Sequence, residues 1–493
     1  MRWIERFLIG HLRRQLLRIE RTGGAASGPG REPPPLRFFL FGFSGVRNAG
    51  ADARMEEAVR QVLHLFGREN TEVVSLLSTR KPGGMFTRSG IELTRGYFEG
   101  SRRVTADCRM DRFILKMACT HHVNMVVEGA VFKSNLSNVL TLAFAGLLGA
   151  ADRAGSLSLA WGVEAGRMDP EIASFVQWAC PKSHLIVRNS SSMDILTKLG
   201  LNPVLGTDCA WTFHPRPPSF GENVLRKAGW DGSTPVLAVC PVNPYWVPSS
   251  SSPGKWVVNA LTGRYRYAHR GGMTFHRTGA DVEAKHRRYL DAIAGAVRAH
   301  RQAHPCFPVL VGTSLIDDRS CRMLSERLGA APVFSAEAYD MFETVSLLRC
   351  ASRIVTSRFH AGVLAMPQGV PFAAVTLDER LRNLLAGFGR EDLAIDCGDV
   401  DLEEKLVVRL RSLVDDGEPL RAAQRDHVRE QLREMGRMGQ YLARVVKERW
   451  PSFPMPARGE AWEEYLPLTD PVLRRLLEES AGSPPPPPSP PRA

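Results

Sequence analysis

At 493 residues the chain exceeds the roughly 250–300 at which one hydrophobic core stops growing, so two domains plus accessory segments are expected. Its net charge of +12 suits acidic partners such as phosphorylated substrates, anionic membrane surfaces or nucleic acid, without choosing among them. The nine cysteines are scattered and never spaced C-x-x-C, which argues against a disulfide framework or a zinc site and for a reducing cytoplasm.

Residues 1–21, MRWIERFLIGHLRRQLLRIER, carry six Arg against two Glu, with Trp3, Ile4, Phe7, Leu8, Leu12, Leu16 and Ile19 at helical spacing. The segment lacks the core and cleavage site of a signal peptide, and no window of the chain is apolar enough to span a bilayer. Such a helix suits the surface of an anionic membrane, at the inner face of the cell membrane for a cytoplasmic protein, or docking on its own protein or another subunit. Residues 22–35 are rich in Gly, Ser and Pro and read as a linker, so 1–35 form one accessory segment.

From Leu36 onward, apolar runs at 37–43, 72–76, 124–127, 157–161, 184–187 and 203–205 alternate with helical patterns at 52–65, 136–149 and 191–199. Strands alternating with helices predict an α/β fold with a doubly wound parallel sheet over 36–215. Three prolines and three glycines at 213–234 interrupt the rhythm and mark an interdomain linker. A second strand–helix series, with strands at 236–241, 307–311, 332–334, 353–356 and 372–376, predicts a second Rossmann-like domain over 216–400. Two such domains facing each other leave a ligand-binding cleft between them. Charged helices are expected at 401–450 and an extended proline-rich tail at 451–493.

Three stretches carry chemistry. In GFSGVRNAGADARMEE (42–57) the spacing G-x-x-G-x-x-x-x-G, between a strand and a helix, is neither a dinucleotide fingerprint nor a P-loop. In 353–376, RIVTSRFHAGVLAMPQGVPFAAVT, Arg358 and His360 follow a strand and open a helix, so an anion grip and a proton-exchanging group meet at a sheet edge. In 186–213, Arg188 ends one strand and Asp208 another, with Ser190–Ser192 at a helix start where serines also serve as caps. Glu128 and Glu164 follow predicted strands, where a carboxylate can hold sugar hydroxyls or act as a base. Aromatic residues among cations at 242–289, including Tyr245, Trp246, Trp256 and Phe275, could bind a sugar or a lipid-linked diphosphate. They match no nucleic-acid module, and no nucleic-acid partner is expected.

The order of these blocks resembles the polysaccharide pyruvyl transferase family. Arg188-Asn189, Ser192, Leu196 and Leu199-Gly200 match its R-(D/N)-x-x-S-x-x-L-x-x-L-G pattern. Asp208-Cys209-Ala210-Trp211 follows in place of D-x-A-F, Arg358-Phe359-His360-Ala361 in place of R-L-H-A, and Gly369-Val370-Pro371-Phe372 as G-V-P-F. Asn48 and Gly50 fall on its N-x-G loop, and Leu377-Asp378-Glu379-Arg380 stands at its Y-D-x-K turn.

The resemblance implies two Rossmann-like domains in a GT-B-like pair. It also implies transfer of a pyruvyl group from phosphoenolpyruvate to a saccharide or lipid-linked saccharide of a cell-envelope or exopolysaccharide precursor, with no cofactor and no metal. On that reading His360 is the catalytic acid/base, and Arg358, Arg188, Asn48, Gly50, Glu128 and Asp378 bind substrate. A GT-B glycosyltransferase using a nucleotide sugar, or a non-catalytic membrane-associated binding protein of the same fold, are the alternatives.

Overall fold

Strands buried on both faces of a parallel sheet read as near-continuous apolar runs, as LRFFLF, VNMV, VLAVC and FAAVT do here. The structure, a computed structural model, describes residues 3–22, 32–78, 98–106, 112–265, 268–271 and 274–481. Most of the 22–35 linker and the proline run after 481 lie outside those residues.

The first sheet is built from β1 (Leu36–Phe41), β2 (Thr71–Ser78), β3 (Ser101–Ala106), β4 (Val123–Val126), β5 (Ala130–Phe132), β6 (Leu157–Ala165), β7 (His184–Val187) and β8 (Pro203–Leu205). Its order is β3-β2-β1-β4-β6-β7-β8, all parallel, with β5 beside β6. After β9 (Val236–Cys240), three short strands, β10 (Ser250–Ser251), β11 (His269–Gly271) and β12 (Thr274–Phe275), form a small antiparallel sheet. The second parallel sheet runs β14-β13-β9-β15-β16-β17, adding β13 (Phe307–Val311), β14 (Val333–Phe334), β15 (Arg353–Thr356), β16 (Phe372–Thr376) and β17 (Ala394–Asp396).

In each large sheet the order reverses beside the first strand, between β1 and β4 and between β9 and β15. Connections leave these points in opposite directions and open a crevice at the carboxyl ends of the strands. The two crevices face each other.

Three segments differ from the sequence expectation. Helix α1 (Trp3–Arg21) buries Ile4, Leu12 and Leu16 and packs on the helix Asn138–Arg153, where Leu12 Cδ2 would stand 3.0 Å from a Cβ at Gly146. Its inner face therefore docks on the protein itself. The proposed linker at 213–234 contains the helix Pro218–Lys227, because Pro218 falls at the first helical position, where a missing N–H is harmless.

Beyond Trp450, where an extended tail was expected, the chain forms the helix Pro471–Ala481 and buries Phe453, Leu466, Leu473 and Leu476 in the core. The preceding helix, Gly417–Arg449, crosses both domains. Gln424 Nε2 donates to Val370 O in the second, and Met435 O accepts from Gln61 Nε2 in the first. No helix among the described residues is long and apolar enough to cross a membrane.

The C-terminal segment is locked by Arg349, which pairs with Asp470 and donates to Leu364 O (2.9 Å) and Phe213 O (3.3 Å). Both members of the pair are buried, 5% and 2% exposed, so removing one strands the other. Asp470→Ala is expected to lower unfolding free energy by about 3–5 kcal/mol in urea titrations, where an exposed pair contributes under about 1.

Candidate active site

The carboxyl ends of the strands bring Asn48, Gly50, Glu128, Arg188, Arg358 and His360 into one interdomain cleft, together with Ser314, Asn243, Trp246, His276 and Arg380. Asp378 stands one residue from the lining position Leu377, and its carboxylate grips Arg380.

Beneath the cleft floor runs a chain of alternating charges. Glu379 of the second domain accepts from Lys133 Nζ (2.8 Å), which also donates to Glu164 (2.6 Å). Arg188 Nε donates to Glu164 Oε2 (2.8 Å) and its Nη1 to Asp208 Oδ2 (2.7 Å). Arg54, on helix α2 (Ala49–Phe66), pairs with the same Asp208 oxygen and donates to Trp161 O (2.8 Å) and Gly162 O (3.0 Å).

Lys133, Glu164, Asp208 and Arg54 are all at most 2% exposed, and such groups persist as ions only when paired on every side. Burial opposes charge on Asp208, but Arg54, His360 and Arg188 hold its carboxyl well below the ordinary range. Glu164 is likewise lowered: burial would raise it, and Arg188 and Lys133 outweigh burial. Both acids stay ionised at neutral pH.

Arg188 thus lines the cleft, yet its guanidinium is directed at Glu164 and Asp208, and its face lies 4.1 Å from the Phe359 ring of the other domain. It is 4% exposed and acts as a brace. The guanidinium groups with an unengaged end are elsewhere. Arg358 holds Asp317 through Nε (3.0 Å to each oxygen) and Nη2, and Arg380 holds Asp378 through Nε (2.9 and 2.8 Å) and Nη2 (2.8 Å). In each, Nη1 makes no hydrogen bond to a described residue, and the side chain is 21% or 23% exposed at the cleft. Each carboxylate fixes its Arg in place while leaving donors for an anion.

His360 sits between the domains, 19% exposed. Its Nε2 lies 3.5 Å from Asp208 Oδ2, an electrostatic contact in which the buried nitrogen makes no hydrogen bond. Burial lowers its pKa below 6.5, partly offset by Asp208, so the ring is neutral at pH 7 and able to accept a proton. The ring lies against α2, where a Cβ on Gly50 would come 2.1 Å from His360 Nδ1 and 2.4 Å from Cγ. Gly50 is therefore the seat of the histidine.

The loop before α2 is fixed from several directions. Asn48 Oδ1 accepts from Ala51 N (3.2 Å), and Ala49 N donates across the interface to Thr313 O (2.8 Å). Glu128 Oε2 accepts from Phe43 N (3.0 Å), and Asp52 Oδ1 from Gly45 N (2.7 Å). Arg47 takes a left-handed φ of 55° in this loop, a backbone strain that the surrounding bonds sustain.

Of the aromatic residues singled out at 242–289, Trp246 stacks on His276 at 4.8 Å at the cleft wall. Tyr245 donates to Cys397 O (2.9 Å), and Trp256 is exposed. Tyr267 lies outside the described residues. Arg54, Lys133, Asp317 and Arg380 were not read as site residues from the sequence. For Lys133 the signal is a cation directly after the apolar run Ala130-Val131-Phe132.

The family model for polysaccharide pyruvyl transferases matches residues 132–379, about half of the chain. The chain belongs to the polysaccharide pyruvyl transferase family. It is a transferase of that family, and its matched span holds Lys133, Glu164, Arg188, Asp208, Arg358 and His360. No curated protein matches it by sequence.

Among solved structures it is similar in fold to a candidate UDP-N-acetylglucosamine 2-epimerase from Listeria monocytogenes (TM-score 0.51, 11% identity, covering 86% of this chain and 100% of that one). It is also similar to a sucrose-phosphate synthase from Thermosynechococcus elongatus (TM-score 0.48, 12% identity, 84% and 99%). The fold is that of the GT-B glycosyltransferases and epimerases, two Rossmann-like domains about a cleft.

Gly50→Ala tests the seat of the histidine. A Gly→Ala change inside a helix ordinarily stabilises by about 0.5–1 kcal/mol. Here the methyl would collide with the His360 ring, and the expected result in denaturant titrations is a loss of about 1–3 kcal/mol. A gain in stability would show that the ring does not rest there.

Proposed function

We propose that the protein transfers a pyruvyl group from phosphoenolpyruvate to a saccharide hydroxyl pair, forming a cyclic ketal and releasing inorganic phosphate. The observation that carries this reading is the convergence of two partly exposed, carboxylate-braced arginines, Arg358 and Arg380, with neutral His360 in one cleft. Phosphoenolpyruvate presents a phosphate and a carboxylate, and two guanidinium ends suit those two anions. In this reading the sequence-level assignment of the second grip passes from Arg188 to Arg380, because Arg188 is occupied by Glu164 and Asp208.

The chemistry runs as follows. A proton is added to the methylene carbon, and the first sugar hydroxyl attacks the adjacent carbon as His360 accepts its proton. The C–O bond to phosphate breaks, the second hydroxyl closes the ring and its proton leaves with phosphate, and His360 returns its proton to solvent, which balances the solvent proton added to the methylene carbon. His360 starts neutral, as a base must, and Asp208 stabilises the imidazolium it becomes. Asn48, Glu128, Asn243 and Ser314 line the remaining wall, where neutral and acidic hydrogen-bonding groups suit an acceptor's hydroxyls.

Thermal-shift measurements separate this reading from nucleotide-sugar chemistry, since a ligand stabilises only the state that binds it. Phosphoenolpyruvate is expected to raise the melting temperature of the wild type and of His360→Ala, and to have no effect on Arg358→Ala. Stabilisation by UDP-N-acetylglucosamine but not by phosphoenolpyruvate would support a nucleotide-sugar enzyme instead, and no response to either would support a non-catalytic binding protein.

A further inference from the structure

Large apolar side chains left in water are concentrated on two helices. Of the ten most exposed among the described residues, three (Trp3, Phe7 and Leu17) lie on α1 and four (Trp256, Val257, Val258 and Leu261) on the helix Pro253–Thr262. The second helix is held by its ends. Ser252 Oγ caps it at Lys255 N (3.3 Å), Pro253 begins it, and Gly263 ends it in the left-handed conformation at φ 67°. Asn259 is the only buried residue among its ten, so little of it faces the domain.

The first helix and the strand that leads into the second share one pocket. Glu5 of α1 lines it with Asn138 and Arg167 of the first domain and Ser250 and Arg277 of the second. Ser250 lies two residues before the cap of the second helix, and neighbouring residues Ser137 and Val247 line the cleft that holds His360. The apolar rim therefore lies beside the cleft.

We propose that α1 and the helix Pro253–Thr262 form a two-part docking surface for an anionic phospholipid bilayer. The charge on the same surface selects this occupant. On α1, Arg6, Arg13, Arg14, Arg18 and Arg21 are exposed with Trp3 and Phe7, and the exposed acid there, Glu20, faces Arg153 at 3.8 Å. Arg264 is exposed just past the second helix. A second copy of this chain would set arginine against arginine, whereas an anionic headgroup layer neutralises them as indole and aliphatic groups enter the interface.

The inner face of α1 stays on the helix Asn138–Arg153, so the outer face can dock with no unfolding. If the proposed reaction holds, docking sets the cleft beside the membrane, where a saccharide acceptor carried on a lipid would present its sugar. Binding to vesicles does not depend on that reaction.

Co-sedimentation of the full chain with phosphatidylglycerol and with phosphatidylcholine vesicles tests the proposal. Binding is expected to the anionic vesicles and to weaken near about 0.5 M salt, where screening shortens to a few ångströms. Trp3→Ser with Phe7→Ser, and Trp256→Ser with Leu261→Ser, alter only exposed positions, and each pair is expected to reduce the bound fraction about tenfold or more. Equal binding to both vesicles, no binding, or full binding by the variants would overturn it. So would size-exclusion chromatography showing a wild-type dimer that the same substitutions dissolve, which would make a second copy the occupant.

Discussion

The structure depends on Asp208. This buried carboxylate receives Arg54 from the first domain's leading helix and Arg188 from the end of β7, and lies 3.5 Å from His360 of the second domain. An isolated buried carboxylate would take up a proton, but two guanidinium groups keep this one ionised. Through Arg188 it is coupled to Glu164, Lys133 and Glu379, so charge alternates across the domain interface with no unpaired member. Exposed pairs on the helix Gly417–Arg449, such as Arg433–Glu430, sit in water and are worth at most about 1 kcal/mol. The buried chain fixes how the two domains meet.

The cleft follows from that register. Both sheets reverse their strand order at the same edge, so loops from each domain converge there, and Gly50 lets the His360 ring approach α2 closely enough to sit over Asp208. The same close approach removes water from the ring, lowers its pKa and leaves it neutral. Arg358 and Arg380 are each oriented by a carboxylate behind them, a preorganised arrangement in which little side-chain freedom is lost when an anion arrives.

The parallel sheets were legible because their inner strands are mostly apolar runs, and strands 184–187, 307–311, 353–356 and 372–376, with the edge strand 203–205, fall where the runs do. Short or polar strands were not: SRRVTA of β3 and AID of β17 carry no apolar period, and each is a strand because a neighbouring strand supplies its hydrogen bonds. The motifs brought Arg188, Arg358 and His360 to one cleft, but pairing is a three-dimensional property. No spacing reveals that Arg188 is occupied by Glu164 and Asp208, that Arg380 has a free end, or that Lys133 joins two carboxylates 246 and 31 residues away. The amphipathic pattern of α1 named an apolar face without showing that Leu12 and Leu16 cover the protein while Trp3 and Phe7 remain outside.

The most direct test of the central claim, that Asp208 and the domain interface hold a neutral His360 in an anion-binding cleft, is NMR titration of histidine-labelled protein, with the His360 resonance assigned by its loss in His360→Ala. The account predicts a pKa below 6.5 in the free protein and a shift of that resonance on adding phosphoenolpyruvate. A pKa at or above 6.5, with a resonance indifferent to phosphoenolpyruvate, would contradict it.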